Sequence, residues 1–174
     1  MKQRSFITNR HSGMTLIEIV ISLVVLSIIL VVAGQFVLSS ATMFNIGKSN
    51  ITTLNKLRFA NERLSKEIRH VDFTGSQYDI TTKAASRFVF TKTDGTAVDF
   101  NLNGTDLEMT YSTLSVTPTP ILLDNVTSLD FNYYQYDGTT ANAAADVKEV
   151  EFEIMVTESG ISYSTKTRIL LKDA

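Results

Sequence analysis

Gly13, Met14 and Glu18 are the residues of this 174-residue chain whose types and spacing point to chemistry. They stand in Gly13-Met14-Thr15-Leu16-Ile17-Glu18, between a basic segment carrying Lys2, Arg4 and Arg10 and an apolar run that begins at Ile19. A glycine lets the backbone enter a protease site closely. A cut after Gly13 exposes a new α-amine on Met14, four residues from the Glu18 carboxylate. An ammonium and a carboxylate in apolar surroundings neutralise each other, because their attraction is far stronger in low dielectric than in water. The plainer reading of Glu18 is a carboxylate that snorkels to a membrane interface.

The element that must position these groups is a membrane span. Ile19 to Leu38 reads IVISLVVLSIILVVAGQFVL, and 20 helical residues reach about 30 Å, one hydrocarbon core. Basic residues precede it with no acid before Glu18, so the N-terminus is expected in the cytoplasm and the C-terminal part outside. A secretory signal cut after Val31-Val32-Ala33 is the competing reading. Against it, the apolar run continues through Phe36-Val37-Leu38 and carries Glu18 near its start. A lipid anchor is excluded, since the chain has no cysteine to acylate.

Gly13 followed by Met-Thr-Leu-Ile-Glu and an apolar helix resembles the class III signal of type IV pilins and of the pseudopilins of type II secretion systems. The usual family version begins Phe-Thr-Leu-Ile-Glu, so Met14 is the departure. The resemblance implies cleavage between Gly13 and Met14 by a prepilin peptidase, N-methylation of Met14, and retention of the apolar helix. It also implies that Glu18 is an assembly residue: on an incoming subunit it neutralises the Met14 ammonium of a neighbour already in the filament. Leaving either charge alone in lipid is unfavourable, so the pair rewards correct axial register.

The implied fold is α+β and pilin-like, a long N-terminal helix packed on an antiparallel β-sheet. The expected organisation is a cleaved cytoplasmic leader over 1–13, a membrane or filament-core helix over 14–38, an amphipathic continuation over 39–72, and an extracytoplasmic β domain over 73–174. Leu54, Leu57, Leu64, Ile68 and Val71 recur at helical steps and predict a helix to about Val71 with one stripe packed on the sheet. Glu62 with Lys66 and Arg63 with Glu67 form i,i+4 pairs expected on the other faces. A coiled-coil seam is disfavoured because Asn50 and Asn61 fall in register. Gly34 and Gly47 are soft points in the helix.

Alternation then predicts strands over 87–92, 96–102, 106–112, 129–136, 147–157 and 161–171 in one antiparallel sheet. Asp94-Gly95, Asn103-Gly104, Asp137-Gly138 and Ser159-Gly160 supply turns. With Ser159-Gly160 as a two-residue loop, Glu153 lies opposite Lys166 and Glu151 opposite Arg168, while Val150, Phe152, Ile154 and Val156 share the other face. Thr113 to Pro120 and Asp137 to Asp146 read as solvated loops or subunit contacts.

The leader's removal leaves 13 Lys+Arg against 18 Asp+Glu, a net charge of −5, which does not point to nucleic acid. Without cysteine the exported domain has no disulfide, unlike many major pilins, and this argues against a disulfide-bounded adhesive loop. His11 falls in the leader and His70 at the helix end, so no histidine-based catalytic or metal site is expected. His70 is expected to act as a cation near a helix C-terminus. Asp124, Asp130, Asp137 and Asp146 lack calcium-loop spacing. No enzyme activity and no cofactor are expected.

The order of helix end, Asp94-Gly95 hairpin, Ile121-Leu122-Leu123 and two closing strands is similar to minor pilins of the PilW type and the minor pseudopilin J. That similarity implies a low-copy subunit, anchored in the inner membrane, which joins other minor and major pilins and an assembly platform to prime a filament near its tip. The alternative is a membrane-tethered adhesin or binding module using a pilin anchor.

Overall fold

The computed structural model describes residues 15–113 and 118–172. Gly13 and Met14 lie outside the described residues, as does part of the loop expected from Thr113 to Pro120. Among the described residues one α-helix, α1 (Leu16–Ile68), is followed by ten strands: β1 (Phe73–Thr74), β2 (Gln77–Tyr78), β3 (Ile80–Lys83), β4 (Arg87–Thr91), β5 (Ala97–Asn103), β6 (Asp106–Tyr111), β7 (Ile121–Leu123), β8 (Val126–Tyr134), β9 (Glu149–Glu158) and β10 (Ile161–Leu170), with a short 3-10 helix at Ala144–Asp146 before β9. The architecture is α+β and pilin-like, a long apolar N-terminal helix with antiparallel sheets. The chain divides into two compact units, one through Asn45 and one from Ile46 onward.

In the first unit α1 is uncovered: Leu16, Ile17, Val20, Leu30, Phe36 and Leu38 are all at least half exposed. Its most apolar window has a mean hydropathy of 3.1 and is 0% buried, which makes it long and apolar enough to cross a membrane. The hydroxyls in this stretch turn back on the helix. Ser22 donates to the Glu18 carbonyl (2.7 Å), Ser27 to Val24 (2.7 Å), Ser40 to Phe36 (2.9 Å) and Thr42 to Leu38 (3.0 Å). These four hydroxyls are thereby satisfied within the helix, as an apolar environment demands. The helix is continuous through Gly34 and Gly47.

In the second unit α1 contributes Leu57, Ala60, Leu64 and Ile68 to the core, together with Glu67, while Leu54 is 37% exposed and stands outside it. The helix ends at Ile68, short of the expected Val71. Val71 is drawn instead into a bridge with Lys92, and the Asp72 N–H donates to the Thr91 carbonyl (2.8 Å), so strand pairing takes over the backbone groups. His70 Nδ1 lies 2.7 Å from the Lys66 carbonyl. A carbonyl only accepts, so this ring nitrogen is the donor and satisfies one of the open C-terminal carbonyls.

Where one sheet was expected there are two, plus the small hairpin β1-β2: a five-stranded sheet in order β3-β4-β5-β6-β7 and a three-stranded sheet in order β10-β9-β8. Aromatic packing joins them. Phe88 of β4 lies 5.0 Å from Phe90, and 5.5 Å from both Phe131 and Tyr133 of β8. Phe88, Phe90, Phe100, Phe152 and Ile154 are fully buried in the same core that receives the helix. β8 begins three residues earlier than expected, and β1, β2, β3 and β7 were not anticipated.

The β9-β10 register is the expected one: Glu153 pairs with Lys166 and Glu151 with Arg168. The ion pairs, however, run diagonally, Lys166 to Glu151 at 3.0 Å and Arg168 to Glu149. Strand twist brings diagonal neighbours within reach of long side chains. Arg168 also stacks 4.1 Å over the Tyr134 ring, whose hydroxyl donates to Glu151 (3.3 Å).

Glu67 departs from its expected outward placement. It does pair with Arg63 (3.1 Å) but is buried, accepting from the Tyr111 hydroxyl (2.9 Å) and lying 3.4 Å from Lys92. Burial and the Glu67 carboxylate push the Tyr111 phenol above its ordinary value, so it stays a donor. The Asp137–Asp146 loop is also docked: Ala141 is buried, and its carbonyl and that of Asn142 accept from Lys83.

Three exposed-side carboxylates give the domain a pH dependence. The Thr96 N–H holds Asp94 below the usual carboxylate range, the Lys56 ammonium at 2.8 Å lowers Asp124, and the Thr139 hydroxyl and N–H lower Asp137. Lowered folded values mean that these groups stabilise the fold above the unfolded carboxylate value and cease to do so as pH falls through the folded ones. The denaturation midpoint is expected to be flat from neutrality to about pH 5 and to decline below about pH 4. Asp124→Asn should reduce that decline.

Candidate N-terminal assembly site

Glu18 stands in the first turn of α1 and is exposed. Thr15 precedes the helix; its carbonyl accepts from the N–H groups of Glu18 (3.0 Å) and Ile19 (3.2 Å), which starts the helical ladder. The Glu18 Oε2 in turn accepts from the Thr15 N–H at 3.4 Å. This is half of a capping box, Thr at the cap and Glu three residues on. The Thr15-Leu16-Ile17-Glu18 spacing carries that signal openly, whereas the sequence pointed to Glu18 as an assembly residue or a snorkelling carboxylate and not as a helix cap.

The arrangement has two consequences. The carboxylate is held at the N-terminal end of a helix, where the aligned peptide dipoles favour negative charge. It also stands on the rim of an apolar helix, with Leu16, Ile17 and Ile19 exposed around it. A single anion at the end of an unsheathed apolar rod attracts a cation carried by another apolar element. Among the described residues no three His, Asp or Glu side chains gather into a metal-binding group.

An exposed apolar helix with an acid in its first turn, leading into an antiparallel β domain, is a pilin-like architecture whose helix is long and apolar enough to cross a membrane. Residues 8–34 match the family model of the prokaryotic N-terminal methylation motif, which spans Gly13, Met14 and Glu18. The match supports a type IV pilin-like class III signal, processing by a prepilin peptidase, and assembly with other pilins. No curated protein sequence matches the chain.

Proposed function

We propose that this protein is a minor pilin or pseudopilin: a structural subunit, not an enzyme, that helps prime a type IV pilus or a type II secretion pseudopilus. The carrying observation is the methylation-motif match over residues 8–34, which runs into a helix whose apolar residues are exposed among the described residues. In this reading the leader is removed between Gly13 and Met14, Met14 is N-methylated, and the subunit waits in the inner membrane with its β domain outside. Glu18 then pairs with the Met14 ammonium of a neighbour as the apolar helices pack. The resemblance to PilW-type minor pilins supports, within this reading, a position with other minor pilins near the tip.

Deleting the gene tests the role. Loss of all filaments, or of secretion, with restoration by the intact gene, is the expected result. Intact filaments that no longer attach to a surface would replace this reading with that of a displayed adhesin.

A further inference from the structure

Between the last turns of α1, the β4-β5 turn and the end of β6 lies a cleft of about 480 Å³. Three cations line it, Arg63, Lys66 and Lys92, against two carboxylates, Glu67 and Asp94, a net charge of +1 with His70 left out of the count. Both carboxylates are already engaged. Glu67 is buried and receives Arg63 (3.1 Å), the Tyr111 hydroxyl (2.9 Å) and Lys92 (3.4 Å). Asp94 meets Lys92 (3.3 Å) with one oxygen and the Thr96 N–H (2.9 Å) with the other.

The cations are not used up in the same way. A guanidinium carries five N–H donors and an ammonium three. Arg63 commits Nη2 alone, to the Tyr111 hydroxyl (2.5 Å) and to Glu67, so the donors on Nη1 and Nε have no acceptor among the described residues. Lys92 meets two carboxylates and keeps one donor. The Lys66 ammonium has no partner among the described residues. Arg63 and Lys92 are also held in place, with side chains only 33% and 17% exposed and both lying against the Tyr111 ring, at 6.0 and 5.3 Å from its centre. Binding groups fixed before a ligand arrives lose little freedom when it binds. A second basic cavity, about 390 Å³ beside Arg69 and Lys172, lacks this feature. Those two side chains are exposed with nothing among the described residues to hold them, and its Arg168 is tied to Glu149 and stacked on Tyr134.

We propose that the cleft between α1 and β6 is an oxyanion site, which takes a phosphate or sulfate group carried by a small polar molecule. The spare donors sit on three different side chains. A carboxylate has two oxygens, and the Arg63 fork alone would occupy them. A tetrahedral oxyanion has further oxygens for Lys66 and Lys92. The cleft is larger than a bare ion needs and lies in the range of small-molecule sites. Thr96 and Thr113 on its wall suit a polar body attached to the anion.

Lys66→Gln tests the site without disturbing the fold, because the Lys66 side chain is exposed and holds nothing among the described residues. Radiolabelled inorganic phosphate is dialysed to equilibrium against the detergent-solubilised full chain, with ionic strength held constant by chloride. Saturable binding at a single site is the expected result. Lys66→Gln is expected to weaken it about tenfold at an unchanged denaturation midpoint, a typical loss for a hydrogen bond to a charged group. Arg63→Lys, which keeps the charge but not the fork, should weaken it by a similar factor. Lys172→Gln, in the other cavity, should leave it unchanged. No saturable binding, or binding that Lys66→Gln leaves intact, overturns the proposal, as does binding lost with Lys172→Gln. Neither Glu18 nor leader cleavage enters this measurement, so its failure leaves the filament role standing.

Discussion

Glu18→Gln is expected to leave cleavage after Gly13 intact while lowering incorporation into the filament by about a hundredfold or more. Two roles for this side chain meet at one atom. Locally, the carboxylate accepts from the Thr15 N–H and helps to start α1. Between subunits, on the function proposed above, it answers a neighbour's ammonium. Glutamine serves in a capping box as glutamate does, so the variant keeps the local role and loses only the charge. An ammonium left uncompensated in apolar surroundings costs about 3 to 5 kcal/mol, and each 1.4 kcal/mol is about a tenfold change in equilibrium. Glu18→Val removes both roles and should be no better. Quantifying each variant in sheared filaments against membrane-held mature protein measures the effect. Incorporation of Glu18→Gln at the native level would reduce Glu18 to a helix cap.

The largest effect on folding is expected at Phe88. Its ring is fully buried and touches Phe90 in its own sheet and Phe131 and Tyr133 in the other, at 5.0 to 5.5 Å. Truncating a buried phenylalanine costs about 3 to 5 kcal/mol through lost transfer energy and the cavity left behind. A domain of this size is stable by only about 5 to 15 kcal/mol. Phe88→Ala should therefore move the urea midpoint, followed by circular dichroism on the detergent-solubilised full chain, to a small fraction of its native value. Phe88→Leu should recover most of the loss. A change under about 1 kcal/mol for the alanine variant would mean that the two sheets do not share one core.

The contrast between what the sequence revealed and what it concealed follows the range of the interactions. The β9-β10 pairing was readable because a turn dipeptide and an alternating apolar face fix it within 22 residues, from Glu149 to Leu170. The diagonal ion pairs were not, because twist lies outside a flat register. Likewise the helix stripe was legible in Leu57, Leu64 and Ile68, while Glu67 was read as solvent-facing. Its burial depends on Lys92 and Tyr111, which arrive from β4's end and from β6, far along the chain. Division into two sheets rests on aromatic contacts between β4 and β8, again non-local. β1, β2 and β3 span two to four residues each, too few for a period to show. At the N-terminal site the motif and span were plain, and the local cap at Thr15 was present in the spacing but unread.

The most direct test of the central claim is the intact mass of the mature protein isolated from cells that contain the prepilin peptidase, with N-terminal sequencing beside it. A chain that lacks residues 1–13, begins at Met14 and carries one methyl group on its amine is the expected result. A chain that begins after Ala33, or one that keeps its leader in assembled filaments, would contradict the account, because no ammonium would then exist for Glu18 to meet.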